Sequence, residues 1–207
     1  MRYKRGMVAE RFRNRARIGW PAMLGSVAAS DAEKNASRPG DALVEPADVV
    51  MDRAFTVEAP PEAVWPWLVQ LGKGRAGWYL PRAIERFLPA PRRAARSLNP
   101  AWLRLEGGDV IPDYGGRDAT FQVAQIVPPS VLVYQSRRGR TNLTWSLALE
   151  SVGNDPGRTT RVFLRLRMAP VRHKLLARTA GGLIDLLTVA GMAAGLAERL
   201  RGQGTAS

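Results

Sequence analysis

At 207 residues the chain is long enough to bury a sizeable core as one domain with a tail. It has no cysteine, which excludes a disulfide framework, a thiol nucleophile and a thiolate metal site. Its one histidine, His173, excludes a site built from several imidazoles. The formal charge of +13 rests on 27 arginines against four lysines, which argues for solubility and loose attraction to anions and says nothing about fold.

Residues 1–20 carry seven basic residues and one acid, Glu10, with no continuous apolar run of the kind a secretory signal needs. Val8, Phe12, Ala16, Trp20 and Leu24 recur every four residues, so a basic amphipathic helix is expected there, capable of weak contact with an anionic membrane through residues 1–24. Residues 26–48 mix Ser, Ala, Asp, Asn, Pro and Gly and read as linker. The chain thus divides into a basic N-terminal segment and linker (1–48), a folded domain (49–202) and a flexible tail (203–207).

The domain opens on a half-buried strand, with Phe55 and Val57 alternating against Thr56 and Glu58. Ala59-Pro60-Pro61 ends it and sets the backbone for a helix start. The helix that follows presents Val64, Trp65, Leu68, Val69 and Leu71, with a kink expected at Pro66 and an end at Gly72. A glycine-spaced loop, Gly72 to Gly77, leads to the adjacent rings of Trp78 and Tyr79. A phosphate cradle needs a strand before such a loop; here a helix precedes it, so the rings read as either the mouth of a ligand site or a plug for the end of a sheet. At such a mouth Arg75 would meet a carboxylate or phenolate.

Pro81–Phe87 suits a short helix, and residues 89–104 a Pro- and Arg-rich loop. Strands are expected over 108–114, 120–127, 131–136, 142–150 and 159–168. The clearest alternation sets Leu143, Trp145, Leu147 and Leu149 against Thr144, Ser146, Ala148 and Glu150. Short turns between strands argue for an antiparallel meander. In the last strand Arg161, Phe163, Arg165 and Arg167 mark a solvated, arginine-studded face. Residues 171–201 form one long helix on which Leu176, Leu183, Leu187, Ala190, Ala194 and Ala197 share a face expected to meet the sheet. Its length would nearly span a bilayer, but Arg178, Asp185 and Arg199 mark it as amphipathic. Nothing matches a helix-turn-helix, zinc finger or RNA-binding sheet, so no specific nucleic-acid partner is expected.

The run Ala59-Pro60-Pro61-Glu62-Ala63-Val64-Trp65 resembles the opening of the START-like, or SRPBCC, superfamily of polyketide cyclases, lipid-transfer domains and pollen-allergen-type proteins. The longer run Val64 to Gly72, with Arg75-Ala76-Gly77-Trp78-Tyr79, is similar to one bacterial branch of it. Further matches are Pro39-Gly40-Asp41, Gly108-Asp109-Val110-Ile111-Pro112, Thr144-Trp145 and Thr160-Arg161-Val162, so that residues 39–202 are covered. The resemblance implies an α+β helix-grip fold, a curved antiparallel sheet of about six strands wrapped on the long C-terminal helix around an apolar cavity. It implies an apolar or aromatic small-molecule ligand, lipid- or polyketide-like, with Trp67, Arg75, Trp78, Tyr79, Tyr134, Trp145, Leu164, Leu183 and Leu187 as candidate contacts, and neither cofactor nor metal. A cyclase or dehydratase using Tyr79, Tyr134, Asp113 or Arg161 is the alternative, and a membrane-surface or protein-interaction role for the N-terminal segment a third. A cytoplasmic location is expected; the oligomeric state is left open.

Overall fold

The computed structural model describes residues 27–153 and 157–203. The amphipathic segment expected over residues 8–24, with its membrane contact, and the tail 204–207 lie outside the described residues. Six strands form one antiparallel sheet in the order β1-β6-β5-β4-β3-β2: β1 (Val49–Val57), β2 (Val110–Pro112), β3 (Thr120–Val127), β4 (Val131–Arg138), β5 (Thr141–Ser151) and β6 (Thr160–Ala169). From β2 to β6 each strand pairs with its neighbour in sequence. β1 closes the far edge on β6, in register from Val49 opposite Met168 to Val57 opposite Thr160. A bulge in β3 between Val123 and Gln125 bends the sheet at that end. The expected meander and long helix are both present, and β1 begins six residues before Phe55, the first residue the alternation marks.

One face of the sheet carries the core. Phe55, Val57, Val162, Leu164, Leu147, Leu149, Leu132, Tyr134, Phe121 and Val123 point into it and meet helix α2 (Pro61–Gln70) through Val64, Trp67 and Leu68. α2 starts on Pro61, where a missing N–H costs nothing, and Pro66 sits inside it without ending it. It ends at Gln70, ahead of Gly72. The next residues form a closed loop in which the Gly72 and Gly77 amides each donate to the other's carbonyl, at 3.3 and 3.0 Å. Gly77 has φ of +80°, and a Cβ there would stand 3.1 Å from Ala94 Cα, so this turn needs glycine twice over.

The opposite face is not the solvated one that its arginines suggest. Residues 27–48, read as linker, cover it, with helix α1 (Asp31–Asn35) held by a Ser30–Glu33 capping box. Ala29, Ala54, Ala148 and Phe163 make a second small core beneath them. Arg165 is buried there and satisfied by Asp52 at 2.6 Å, Asp41 at 2.8 Å and the Ala36 and Lys34 carbonyls. Arg161 binds Glu33 at 3.0 Å. The acids of the covering segment neutralise the arginine stripe, which is why that segment packs here. After the short α3 (Arg82–Glu85), the long helix runs through α4 (Lys174–Leu176), a π-helical turn at Ala177–Gly181 and α5 (Gly182–Gln203).

The long helix meets the sheet side unevenly. From Val189 onward it is packed down, with Val189, Ala190, Met192, Ala193 and Leu196 in the core. Upstream it is held by Arg53 of β1, which binds Asp185 at 2.8 Å and the Gly182 carbonyl at 2.9 Å. Leu176, Leu183 and Leu187, expected on the buried face, are exposed. Two side interactions rotate the helix away from that phase: the Arg53–Asp185 pair turns Asp185 inward, and Gly191 and Gly195 turn toward the Leu80 loop. A Cβ on Gly195 would lie 2.6 Å from the Leu80 nitrogen, so the GxxxG spacing serves packing of backbone on backbone within the chain. By length and composition alone, helix 174–202 is long and apolar enough to cross a membrane.

Candidate functional site

The candidate residues separate into three groups by environment. Trp67, Tyr79 and Leu164 are core. The Trp67 ring meets Tyr79 edge-on at 5.6 Å, and the Tyr79 hydroxyl donates to the Trp67 carbonyl at 2.8 Å while accepting from Gln70 at 3.1 Å. The buried Gln70 in turn accepts from the Asn99 amide at 3.0 Å, and the Arg199 guanidinium lies 4.4 Å from the Tyr79 ring centre. Burial pushes the Tyr79 phenol well above its ordinary value, with Gln70, Arg199 and Arg75 opposing, so it stays protonated as a structural donor. Of the two readings of the paired rings, Tyr79 is the plug.

Leu183 and Leu187 form the second group, exposed on the outward side of α5.

The third group is a ladder of rings across the inner face. Trp78 donates its indole N–H to the Thr188 carbonyl at 3.0 Å, just where the long helix turns from exposed to buried. Its ring stands 5.9 Å from Trp145 of β5, which stacks on Tyr134 of β4 at 5.8 Å and 18°. Phe121 of β3 extends the ladder, 5.5 Å from Tyr134 and 6.0 Å from Trp145. Cross-strand pairing places these rings together: Tyr134 is directly opposite Trp145, and Trp145 opposite Leu166. Trp78, Trp145, Leu166, Met168 and Leu186 are only partly buried against the core, so the ladder's Trp78–Trp145 end is accessible.

Three polar atoms at the inner end are buried without a hydrogen-bond partner: the Tyr134 hydroxyl, Arg75 Nε and Arg138 Nε. Arg75 is fixed by its Nη2, which donates to the Val69 carbonyl at 3.2 Å and to the Trp102 carbonyl. Arg138 packs over the Phe121 ring at 5.5 Å and is paired with Asp113. Burial raises the Tyr134 phenol far above its ordinary value, and the nearby Arg75 charge only partly offsets this, so Tyr134 is an O–H donor at neutral pH. Such unpaired buried groups are rare in folded proteins and ask for an explanation. Asp113 also accepts from the Tyr114 and Gly115 amides, Asp109 caps the Glu106 amide, and Arg161 lies on the opposite face of the sheet, bound to Glu33.

Phe121 and Arg138 are absent from the residues the sequence singles out. The alternation of Phe121 and Val123 against Gln122 carries the signal for Phe121, whereas Arg138 closes β4 two residues beyond the end that the pattern marks at 136, in a basic run that offers none. A separate apolar groove of about 410 Å³ lies on the other flank of the helix, between β1 and α5, lined by Phe55, Val57, Ala193, Ala194, Ala197 and Leu200. None of the candidate residues lines it. Among the described residues no three His, Asp or Glu side chains converge as a metal site.

No family model matches the chain, and no curated protein does. Solved structures do. The chain is similar to CalU16 from Micromonospora echinospora, at 16% identity and a TM-score of 0.39, over 75% of this chain and 86% of that one. It is similar to CV1439 from Chromobacterium violaceum at 12% and 0.44, over 73% and 96%, and to the Aha1 dimer from Colwellia psychrerythraea at 13% and 0.38, over 72% and 98%. The chain's own strand order, with the long C-terminal helix on the inner face, is that of a helix-grip fold.

Proposed function

We propose that the chain binds, without covalent chemistry, an apolar small molecule with a planar ring system and one hydrogen-bond acceptor. The molecule enters between the long helix and the sheet at Trp78 and Trp145. The observation that carries this reading is the Tyr134 hydroxyl, 1% exposed and without a partner at the inner end of a four-ring ladder. Flat rings are matched by Trp145 and Trp78, while the acceptor takes the Tyr134 O–H and Arg75 Nε–H, one neutral donor and one cationic. A carbonyl, phenolate or carboxylate on a lipid- or polyketide-like skeleton answers that description. A few polar orienters in an apolar wall are what such sites use.

The test is a fluorescence titration with 8-anilinonaphthalene-1-sulfonate, a probe with flat rings and an anionic acceptor. Saturable binding is expected, weakened about tenfold by Trp145→Ala or Tyr134→Phe and changed less than about twofold by Ala197→Trp, which fills the β1 groove. The reverse pattern would move the ligand to that groove, and no saturable binding would contradict the proposal. Circular dichroism of each variant confirms that it is folded.

A further inference from the structure

We propose that the outward face of the long helix between Leu175 and Thr188 is a docking surface for an anionic lipid bilayer. Leu175, Leu176, Leu183, Ile184 and Leu187 are between 42% and 77% exposed, a concentration of aliphatic surface on one helix. Scattered exposed leucines need no explanation; a run of them on one element marks an interaction site.

Two further observations select the occupant. The face offers almost nothing that a directional partner reads. Thr179 donates its hydroxyl back to the Leu175 carbonyl at 2.8 Å and Thr188 to the Ile184 carbonyl at 2.9 Å, so both threonines turn satisfied oxygens inward along the helix. Protein interfaces use about one hydrogen bond per 100–200 Å², whereas a bilayer needs only apolar surface and charge. The charge is one-sided. Arg172, Lys174 and Arg178 are exposed, and the one acid between 171 and 188, Asp185, is drawn inward onto Arg53 with 19% of its side chain exposed. Lys174 is bridged to the Asp48 carboxylate at 2.5 Å and Arg178 donates to the Asp48 carbonyl at 2.9 Å, which leaves Arg172 as the least encumbered of the cations. Leucines flanked by such cations match an anionic headgroup layer over an acyl layer. The surface is distinct from the basic segment of residues 1–24, and the proposal stands whether or not the ring ladder holds a ligand.

The full chain is tested by flotation with phosphatidylcholine vesicles and with mixed phosphatidylcholine–phosphatidylglycerol vesicles. The wild type is expected on the mixed vesicles, in a salt-sensitive manner. The combined substitutions Leu183→Gln, Ile184→Gln and Leu187→Gln, all at exposed positions, are expected to leave circular dichroism unchanged and to lower partitioning at least about tenfold. Arg172→Glu with Arg178→Glu is expected to remove the preference for phosphatidylglycerol. The proposal is overturned if the wild type does not float, if the triple variant floats as the wild type does, or if sedimentation shows a dimer that the triple substitution dissociates.

Discussion

Tyr134 and Arg199 are both buried polar residues, and they make opposite demands. Tyr134 has no partner, so Tyr134→Phe removes an unsatisfied hydroxyl without opening a cavity. Urea denaturation is expected to show stability unchanged or raised by up to about 1 kcal/mol, while probe affinity falls. Arg199 is fully satisfied: its side chain is 0% exposed, binds Glu85 at 2.8 Å and donates to the Ala95 carbonyl at 2.8 Å. Glu85→Gln strands that charge, and a loss of about 3–5 kcal/mol is expected in the same assay. The pair also sets an acid response. Burial pushes the Glu85 carboxyl up, but hydrogen bonds from Arg199 and Arg96 outweigh it and hold the group below its ordinary 4.5. A depressed folded-state value stabilises fully above pH 4.5 and loses that contribution as the pH falls through the lower folded value. Thermal melts of the wild type should therefore drop below pH 4.5 more steeply than those of Glu85→Gln.

At the scale of elements, two glycines of the long helix separate packing from propensity. Gly182 has helical angles and nothing within 4 Å of a built Cβ, so Gly182→Ala is expected to stabilise by up to about 1 kcal/mol. Gly195 has backbone at 2.6 Å, and Gly195→Ala is expected to destabilise by about 1–3 kcal/mol by forcing the helix off Leu80. Denaturant midpoints of opposite sign check the pair. The covering segment yields another prediction: Arg165→Met breaks its contacts to Asp41 and Asp52, and limited proteolysis should then cut between residues 30 and 48 sooner than in the wild type. Sequence pattern was a good guide to strands, because alternation at Leu143–Leu149 and Val162–Met168 reports which face is apolar. It was a poor guide to what covers the other face. Arg161, Arg165 and Arg167 alternate as a solvated edge does, and the acids that bury them lie more than a hundred residues away. The helix phase failed for a related reason, since Asp185 reads as outward-facing until Arg53 of β1 is known to stand opposite it.

For the whole molecule, the sheet-and-helix architecture was legible from the period-2 strands, the short turns and the one long apolar helix. The candidate site was legible only in pieces. Tyr134 and Trp145 meet through strand register, and the Gly72–Gly77 loop and its continuation bring Arg75 and Trp78 to them, neither of which a local pattern encodes, while Trp67, Tyr79 and Leu164 belong to the packing beneath them and Leu183 and Leu187 to the outer surface. The account's central claim is that a ligand meets the ring ladder from the Trp78–Trp145 end. The six tryptophans allow a direct measurement, the indole N–H resonances followed by NMR during titration with 8-anilinonaphthalene-1-sulfonate. The account predicts saturable shifts at Trp78 and Trp145 with Trp67 unmoved; shifts absent from those two, or spread evenly over all the indoles, would contradict it.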